Sequence, residues 1–346
     1  MNRRTFLIGG AVAAACNRGP RLNIFNWSDY VAPDTIPNFE REFGIRVRYG
    51  TYESVPEMLA KVMTGNSGWD VVFPSAEYIQ PMRDMGLLAQ LRHEWLPNLS
   101  NLGPQFQQPP WDPGLEWSVP YMHGATGIVY QKSLRWTPQA WSDLWDSRLA
   151  GKLTMLDDPP EVFAACLKTL GYSINSGDPN QLKAAQQRAI AQKPLVRAYL
   201  NAEVRDQLVA GDVAAAQAWA VTAAQAIAAA SERTDGVSVS KLAFLFPSEG
   251  FPRYADNVAI LRESTRAESA HRFINYLLRP QVAAAIVETT RTAACNGAAQ
   301  QYLPESLRSD PVLYPSAEIL TRGEWFAPQS AASQRLRDRL WTEIKT

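Results

Sequence analysis

The sequence predicts an α/β protein of two lobes, each a mainly parallel sheet flanked by helices. Three observations lead there. The 346-residue chain is longer than one core usually supports, since cores stop growing at roughly 250 to 300 residues. Residues 21–75 alternate strand and helix patterns in the order βαβαβ, which implies a parallel sheet whose ligands meet the carboxyl ends of the strands. A second α/β pattern begins near Gly124, and from Asn257 the chain reads as returning to the first lobe. Two crossings of this kind make a hinged clamshell. The division expected is a signal and linker over 1–20, a first lobe from 21–124 with 256–300, and a second from 125–255 with 301–346.

Each element has a local reason. Leu22-Asn23-Ile24-Phe25 reads as the first strand, and Asp34 to Phe43 as a helix with Ile36, Phe39 and Phe43 on one stripe and Gly44 at its C-terminal end. Ile45-Arg46-Val47-Arg48-Tyr49 alternates as a strand. Ser54-Val55-Pro56-Glu57 is a capping box with proline in the first turn, opening a helix through Met58, Leu59, Val62 and Met63. Asp70-Val71-Val72-Phe73 is the third strand. In the second lobe a strand at Lys152 to Leu156 leads into a helix from Pro159, and the apolar run Ala214 to Trp219 leads into the alanine-rich helix Thr222 to Ala230. Asn257 to Leu261 is a further strand, followed by a long amphipathic stretch, Arg266 to Thr289.

The N-terminus reads as an export signal. Asn2-Arg3-Arg4-Thr5-Phe6-Leu7 is a positive segment with paired arginines of the twin-arginine type, and the apolar run Ile8 to Ala15 is too short to span a bilayer. Ala13-Ala14-Ala15-Cys16 looks like a lipoprotein cleavage site, with Cys16 as the acylated residue, although Ala13 departs from the usual leucine. The expected location is the periplasm or the outer face of the cytoplasmic membrane, with membrane contact only through that anchor. Cys166 and Cys295 either pair in an oxidising exterior or serve as buried small hydrophobes.

Composition excludes several classes. Lys+Arg and Asp+Glu both number 34, and residues 1–15 carry two arginines and no acid, so removing them leaves a small acidic excess. No basic excess is available for a nucleic-acid footprint. There is no GxSxG elbow, phosphate loop, GxGxxG or HExxH, although His93-Glu94 superficially begins the last. The three histidines, His93, His123 and His271, are far apart in sequence, so no metal site is expected. No cofactor and no enzymatic activity are expected either.

What stands out is aromatic residues beside acids in segments that follow strands: Trp27-Ser28-Asp29-Tyr30, Glu77-Tyr78, Asp157-Asp158 with Glu161, Trp219, and Tyr254-Ala255-Asp256. Such sets suit an organic cation with charged ends on an apolar stem. Carboxylates hold ammonium groups by charge-assisted hydrogen bonds, and ring faces cover methylenes and attract the charge. Each item also has a plainer reading. Asp158-Pro159-Pro160-Glu161 is a good helix start by itself. Trp27 and Trp219 suit a core, Asp29 and Asp256 suit solvated turns, and Glu77 suits a solvated first helical turn.

Phe25-Asn26-Trp27-Ser28-Asp29-Tyr30-Val31, Gly50-Thr51-Tyr52-Glu53-Ser54 and Val72-Phe73-Pro74-Ser75 resemble the spermidine/putrescine-binding proteins of polyamine ABC importers. So do Pro120-Tyr121 with Gly124-Ala125-Thr126, Trp141-Ser142-Asp143-Leu144-Trp145, Asp157 to Phe163, Pro247-Ser248-Glu249-Gly250, Asn275 to Pro280 and Gly323-Glu324-Trp325. The resemblance implies the type II clamshell of periplasmic binding proteins with the ligand between the lobes, a polyamine as ligand, permease subunits as partners and a monomer. It implies Trp27 and Tyr30 as aromatic walls, Ser28 and Ser75 as polar contacts, and Asp158 and Glu161 as receivers of one amine. Trp219 and Tyr254 would flank the methylenes, and Asp256 would be the main carboxylate for another amine. Departures stand at Glu77 (usually aromatic), Thr292 (usually Tyr), Phe326 (usually Gln) and His123 (usually Trp). These leave open a longer or more charged amine, or a guanidinium compound such as agmatine or an arginine-like ligand.

Overall fold

A computed structural model of the protein describes residues 19–234 and 237–346; the paired arginines and Cys16 lie outside them. The chain opens with β1 (Arg21–Trp27), α1 (Thr35–Phe43), β2 (Arg46–Tyr52), α2 (Val55–Val62) and β3 (Val71–Val72), followed by α3 (Ala76–Asp84). β1 pairs in parallel with β2 on one side and β3 on the other. The helix ends follow from their residues. Gly44, in the left-handed region at φ 65°, donates its N–H to the Glu40 carbonyl and stops α1. Ser54 Oγ accepts the Glu57 N–H at 3.3 Å, satisfying one orphaned donor of α2, while the Glu57 carboxylate reaches back to the Glu53 N–H, just ahead of the cap, at 3.1 Å.

The 13-residue strand β4 (Val119–Gln131) then carries the chain away. Beyond it come β5 (Leu153–Met155), α4 (Pro159–Thr169), α5 (Pro179–Gln192), β6 (Val196–Tyr199), α6 (Val204–Ala210), β7 (Ala215–Trp219) and α7 (Ala220–Ala229). β5 is parallel to both β6 and β7. A small hairpin, β8 (Ser231–Thr234) with β9 (Val237–Ser240), and β10 (Leu242–Leu245) precede β11 (Phe251–Ile260), which runs back. The amphipathic stretch after it is two helices, α8 (Ala267–Leu277) and α9 (Pro280–Thr290). The break has a local cause: Arg279 is held extended ahead of Pro280, which starts α9. β12 (Ala293–Ala294), β13 (Gly323–Trp325) and a C-terminal helix, Ala331–Lys345, complete the fold.

The strands join in the order β2-β1-β3-β11-β4-β7-β5-β6. The two long strands make the connection between lobes. β11 pairs antiparallel with β3 through Ala259 and Ile260 and with β4 over Arg253–Val258, and β4 pairs antiparallel with β7 from Thr126 to Tyr130. Each end of this curled sheet is parallel and has its own buried core. Leu22, Ile24 and Phe39 pack with Ile260, Phe273 and Ile274 in the first, and Trp141, Met155, Phe163 and Leu182 with Leu340 and Ile344 in the second. Two crossing strands therefore separate two independent cores, which is the two-lobed architecture expected. Cys295 is buried in the first core and Cys166 in the second, both as free thiols, so of the two readings they are buried small hydrophobes. Among the described residues no helix is long and apolar enough to cross a membrane.

The turn that launches β11 depends on Gly250. Its φ is +103°, and a Cβ there would meet Lys168 Cε at 2.7 Å and the Arg322 carbonyl at 2.8 Å. Its own carbonyl accepts the indole N–H of the fully buried Trp141 at 2.8 Å. Gly250→Ala is expected to destabilise the protein by about 2 to 3 kcal/mol, read as a lower urea midpoint with unchanged slope; an unchanged midpoint would refute the strained-turn assignment.

Candidate functional site: an acidic, aromatic cleft at the hinge

Where β1, β3 and β11 end or bend, side chains of the first lobe converge on Asp256. The register of β11 against β4 shifts between Asp256 and Asn257, an irregularity of the kind that re-aims a side chain. Tyr30 donates its hydroxyl to Asp256 Oδ2 at 2.6 Å, and Ser75 donates to Oδ1 at 2.7 Å. Asp256 is buried, and burial pushes its pKa up to about 6 against the pull of those two donors. The Tyr30 hydroxyl is held well above its ordinary range, by burial first and then by the charge of Asp256, so it stays a donor. Trp27 donates its indole N–H to the Phe73 carbonyl at 2.9 Å, and its ring lies 4.7 Å from that of Tyr52.

The second lobe contributes the N-terminus of α4. Asp158 caps it, accepting the Glu161 N–H at 3.2 Å. Glu161 is 3% exposed, and its Oε1 accepts both the Thr126 hydroxyl at 2.8 Å and the Trp219 indole N–H at 3.0 Å. Its Oε2 has no partner. Burial pushes the pKa of both upward; the charge of Asp158 is the second cause for Glu161, whereas the Glu161 N–H pulls Asp158 back down. Tyr254, on β11, lies flat over Gly124 of β4, where a Cβ would come within 2.3 Å of its hydroxyl oxygen. A glycine at this strand position is what admits the ring.

Glu77 joins the two halves. It stands in the first turn of α3, but its Oε2 is buried without a partner. Its pKa is pushed up to about 8, by burial first, with the charges of Asp256 and Asp158 adding to it. Glu161 in turn feels Glu77. Acids contributed by both lobes therefore lie close enough to act on one another's charge. None of the ion pairs among the described residues reaches Glu77, Asp158, Glu161 or Asp256. Such a site is arranged to receive positive charge from outside the chain.

Of the residues singled out in the sequence, Trp27, Tyr30, Ser75, Glu77, Asp158, Glu161, Trp219, Tyr254 and Asp256 come together here. Ser28 and Asp29 lie at the outer edge: Ser28 hydrogen-bonds the Glu53 carboxylate, and Asp29 is exposed in a left-handed turn at φ 52°. Glu77 does not have the solvated position that its place in a helix start suggests. Thr126 and Gly124 were given no role from the sequence; the isolated glycine in a strand pattern was the available signal. Among the departures, His123 packs on Phe106 and is kept neutral, its pKa pushed down to about 3 by burial, and the buried Thr292 hydroxyl has no partner.

Comparison with known proteins agrees with this geometry. The model of the bacterial extracellular solute-binding protein family matches residues 35–313. The chain belongs to that family. Membership places the mature protein outside the cytoplasm and makes it a binding component rather than a catalyst. The chain is 35% identical to the spermidine/putrescine-binding periplasmic protein of Escherichia coli, over 94% of this chain and 91% of that protein. It is 32% identical to the putrescine-binding periplasmic protein SpuD of Pseudomonas aeruginosa, over 98% of this chain and 95% of that protein. Among solved structures, the spermidine/putrescine ABC transporter substrate-binding protein PotD of Streptococcus pneumoniae superposes with a TM-score of 0.82 at 29% identity, covering 94% of this chain and 99% of that one.

The raised carboxyl groups give the ligand-free protein a pH dependence of unusual sign. Glu77 rises from 4.5 to about 8 on folding, so the folded state keeps a proton that the unfolded chain has released. Stability from this group is greatest below its unfolded pKa and is lost as pH rises through the folded value. For ligand-free protein the melting temperature is expected to fall between about pH 5 and pH 8, with Glu77 contributing on the order of 3 kcal/mol. Glu77→Gln should flatten part of that fall; a wild-type profile that rises over this range, or a variant with the same slope, would contradict the assignment.

Proposed function

We propose that this protein captures a polyamine of the spermidine/putrescine class and delivers it to the permease of an ABC importer. The observation that carries the reading is a set of four carboxyl groups, Glu161 and Asp256 buried and Glu77 and Asp158 half-buried, gathered without a basic partner among the described residues and accompanied by aromatic rings. Asp158 and Glu161 take one terminal ammonium and Asp256 another. Trp27, Tyr30, Trp219 and Tyr254 cover the methylenes and add cation-π attraction of roughly 0.5 to 2 kcal/mol each. Ser75 orients Asp256, and Ser28 and Asp29 act at the rim. The names of the relatives support the ligand class.

The mechanism follows from burial. The lobes, 21–124 with 256–300 and 125–255 with 301–346, close by hinge motion at the crossing strands. Closure removes the carboxylates from water, which is costly unless each meets a cation. Only a ligand with suitably spaced charges therefore stabilises the closed form, and that form docks on the permease. The chain acts as a monomer, exported by its twin-arginine signal and held at the outer face of the membrane by a lipid on Cys16.

Calorimetric titration of the mature chain against putrescine, spermidine, spermine, agmatine and arginine tests this. One-to-one binding of a polyamine is expected, weakened more than about 100-fold by Asp256→Asn, a loss of about 3 kcal/mol. No binding of any polyamine, or unchanged affinity in the variant, would overturn the reading; tighter binding of agmatine or arginine would move the ligand to a guanidinium compound.

A further inference from the structure

We propose that a cavity on the reverse face of the crossing strands is a second ligand site, one that takes a small organic carboxylate with an apolar body. The two faces of these strands carry opposite chemistry. Tyr254 and Asp256 alternate along β11 with Arg253 and Ala255, and Gly124 and Thr126 alternate along β4 with His123 and Ala125. Gly124 and Thr126 turn to the acidic cleft, where the Tyr254 ring covers the first and the Glu161 carboxylate bonds the second. His123, Ala125 and Arg253 turn the other way, and all three line a cavity of about 560 Å³. None of the acids or aromatic rings of the acidic cleft lines it.

Arg253 is the only charged side chain in the wall of this cavity, which holds no carboxylate. It enters none of the ion pairs among the described residues. Burial lowers its pKa only to about 10, so it is charged at neutral pH. Its position is fixed by its neighbours. The guanidinium carbon lies 3.9 Å from the centroid of the Trp325 ring, and the stem passes Gly323, where a Cβ would come within 2.6 Å of Arg253 Cδ. Stacking on a ring uses the face of a guanidinium and leaves the N–H groups of its edge, whose fork matches the two oxygens of a carboxylate.

The rest of the wall selects among anions. Phe106, Phe246, Leu313 and Leu320 supply apolar surface, and Gln105 and Gln300 are neutral. One positive charge with no acid beside it suits a single negative group. The apolar surface offers nothing to a bare inorganic anion in return for its hydration, but it covers a hydrocarbon or aromatic body. The volume lies in the range of roughly 300 to 1,000 Å³ usual for small-molecule pockets, which combine such walls with a few placed polar groups.

Calorimetric titration of the mature chain with phenylbutyrate, its neutral amide and inorganic phosphate tests the proposal. The proteins compared are the wild type, Arg253→Met and Ala298→Trp, whose new ring would fill the cavity from another segment of its wall. Phenylbutyrate is expected to bind the wild type one-to-one, at least about tenfold more tightly than the amide or phosphate, and each folded variant is expected to weaken it at least about tenfold. No binding of phenylbutyrate, an amide that binds as tightly, or phosphate that binds more tightly overturns the proposal. A folded variant of either kind with wild-type affinity also overturns it, since the acid would then sit elsewhere on the chain. If Arg253→Met fails to fold, the comparison of acid with amide and the Ala298→Trp protein still decide.

Discussion

Four carboxyl groups brought close to one another, two of them buried and two half-buried, form the constraint around which the site is organised. Glu77, Asp158, Glu161 and Asp256 are each burdened by desolvation, and neutral donors are turned toward three of them. Tyr30 and Ser75 serve Asp256, Thr126 and Trp219 serve Glu161, and the first free amide of α4 serves Asp158. These donors are neutral, so they orient the acids without discharging them. The remaining imbalance is left for a cation that can leave again, which is the condition a carrier needs and an enzyme core or structural ion pair does not.

The position of the acids on the scaffold ties binding to motion. Asp256 belongs to one crossing strand, and Thr126, which anchors Glu161, belongs to the other. An isolated bridge between Ser75 and Asp256 fastens the end of β3 to β11 at the same point. A ligand held between Asp256 and Glu161 thus pulls directly on the two strands that connect the lobes. Each lobe keeps its own main core on either side of these strands.

Local chemistry made much of the fold legible. The βαβαβ run could be read because Gly44 and the Ser54–Glu57 box mark helix ends at the places where apolar periodicity changes. Asp158 had two readings, helix cap and cleft acid, and its geometry satisfies both. Glu77 was ambiguous because its burial depends on a second lobe more than 80 residues away in sequence, which no local pattern encodes. Thr126 and Gly124 became meaningful only through the antiparallel register that sets Gly124 opposite Tyr254 and Thr126 opposite Trp219. Asp29, an acid beside a tryptophan, stands exposed in a left-handed turn, so burial does not mark it as it marks Glu161 and Asp256.

The alternation of the two lobes along the chain also orders events during synthesis. Leu22, Ile24 and Phe39 emerge early, yet they pack on Ile260, Phe273 and Ile274, which are made only after the whole inserted lobe. That lobe waits as well, since Leu340 and Ile344 of the final helix close its core. The second core is not finished before residues 340–344 have been made. The nascent protein therefore carries the exposed apolar surface of an unfinished core through most of translation.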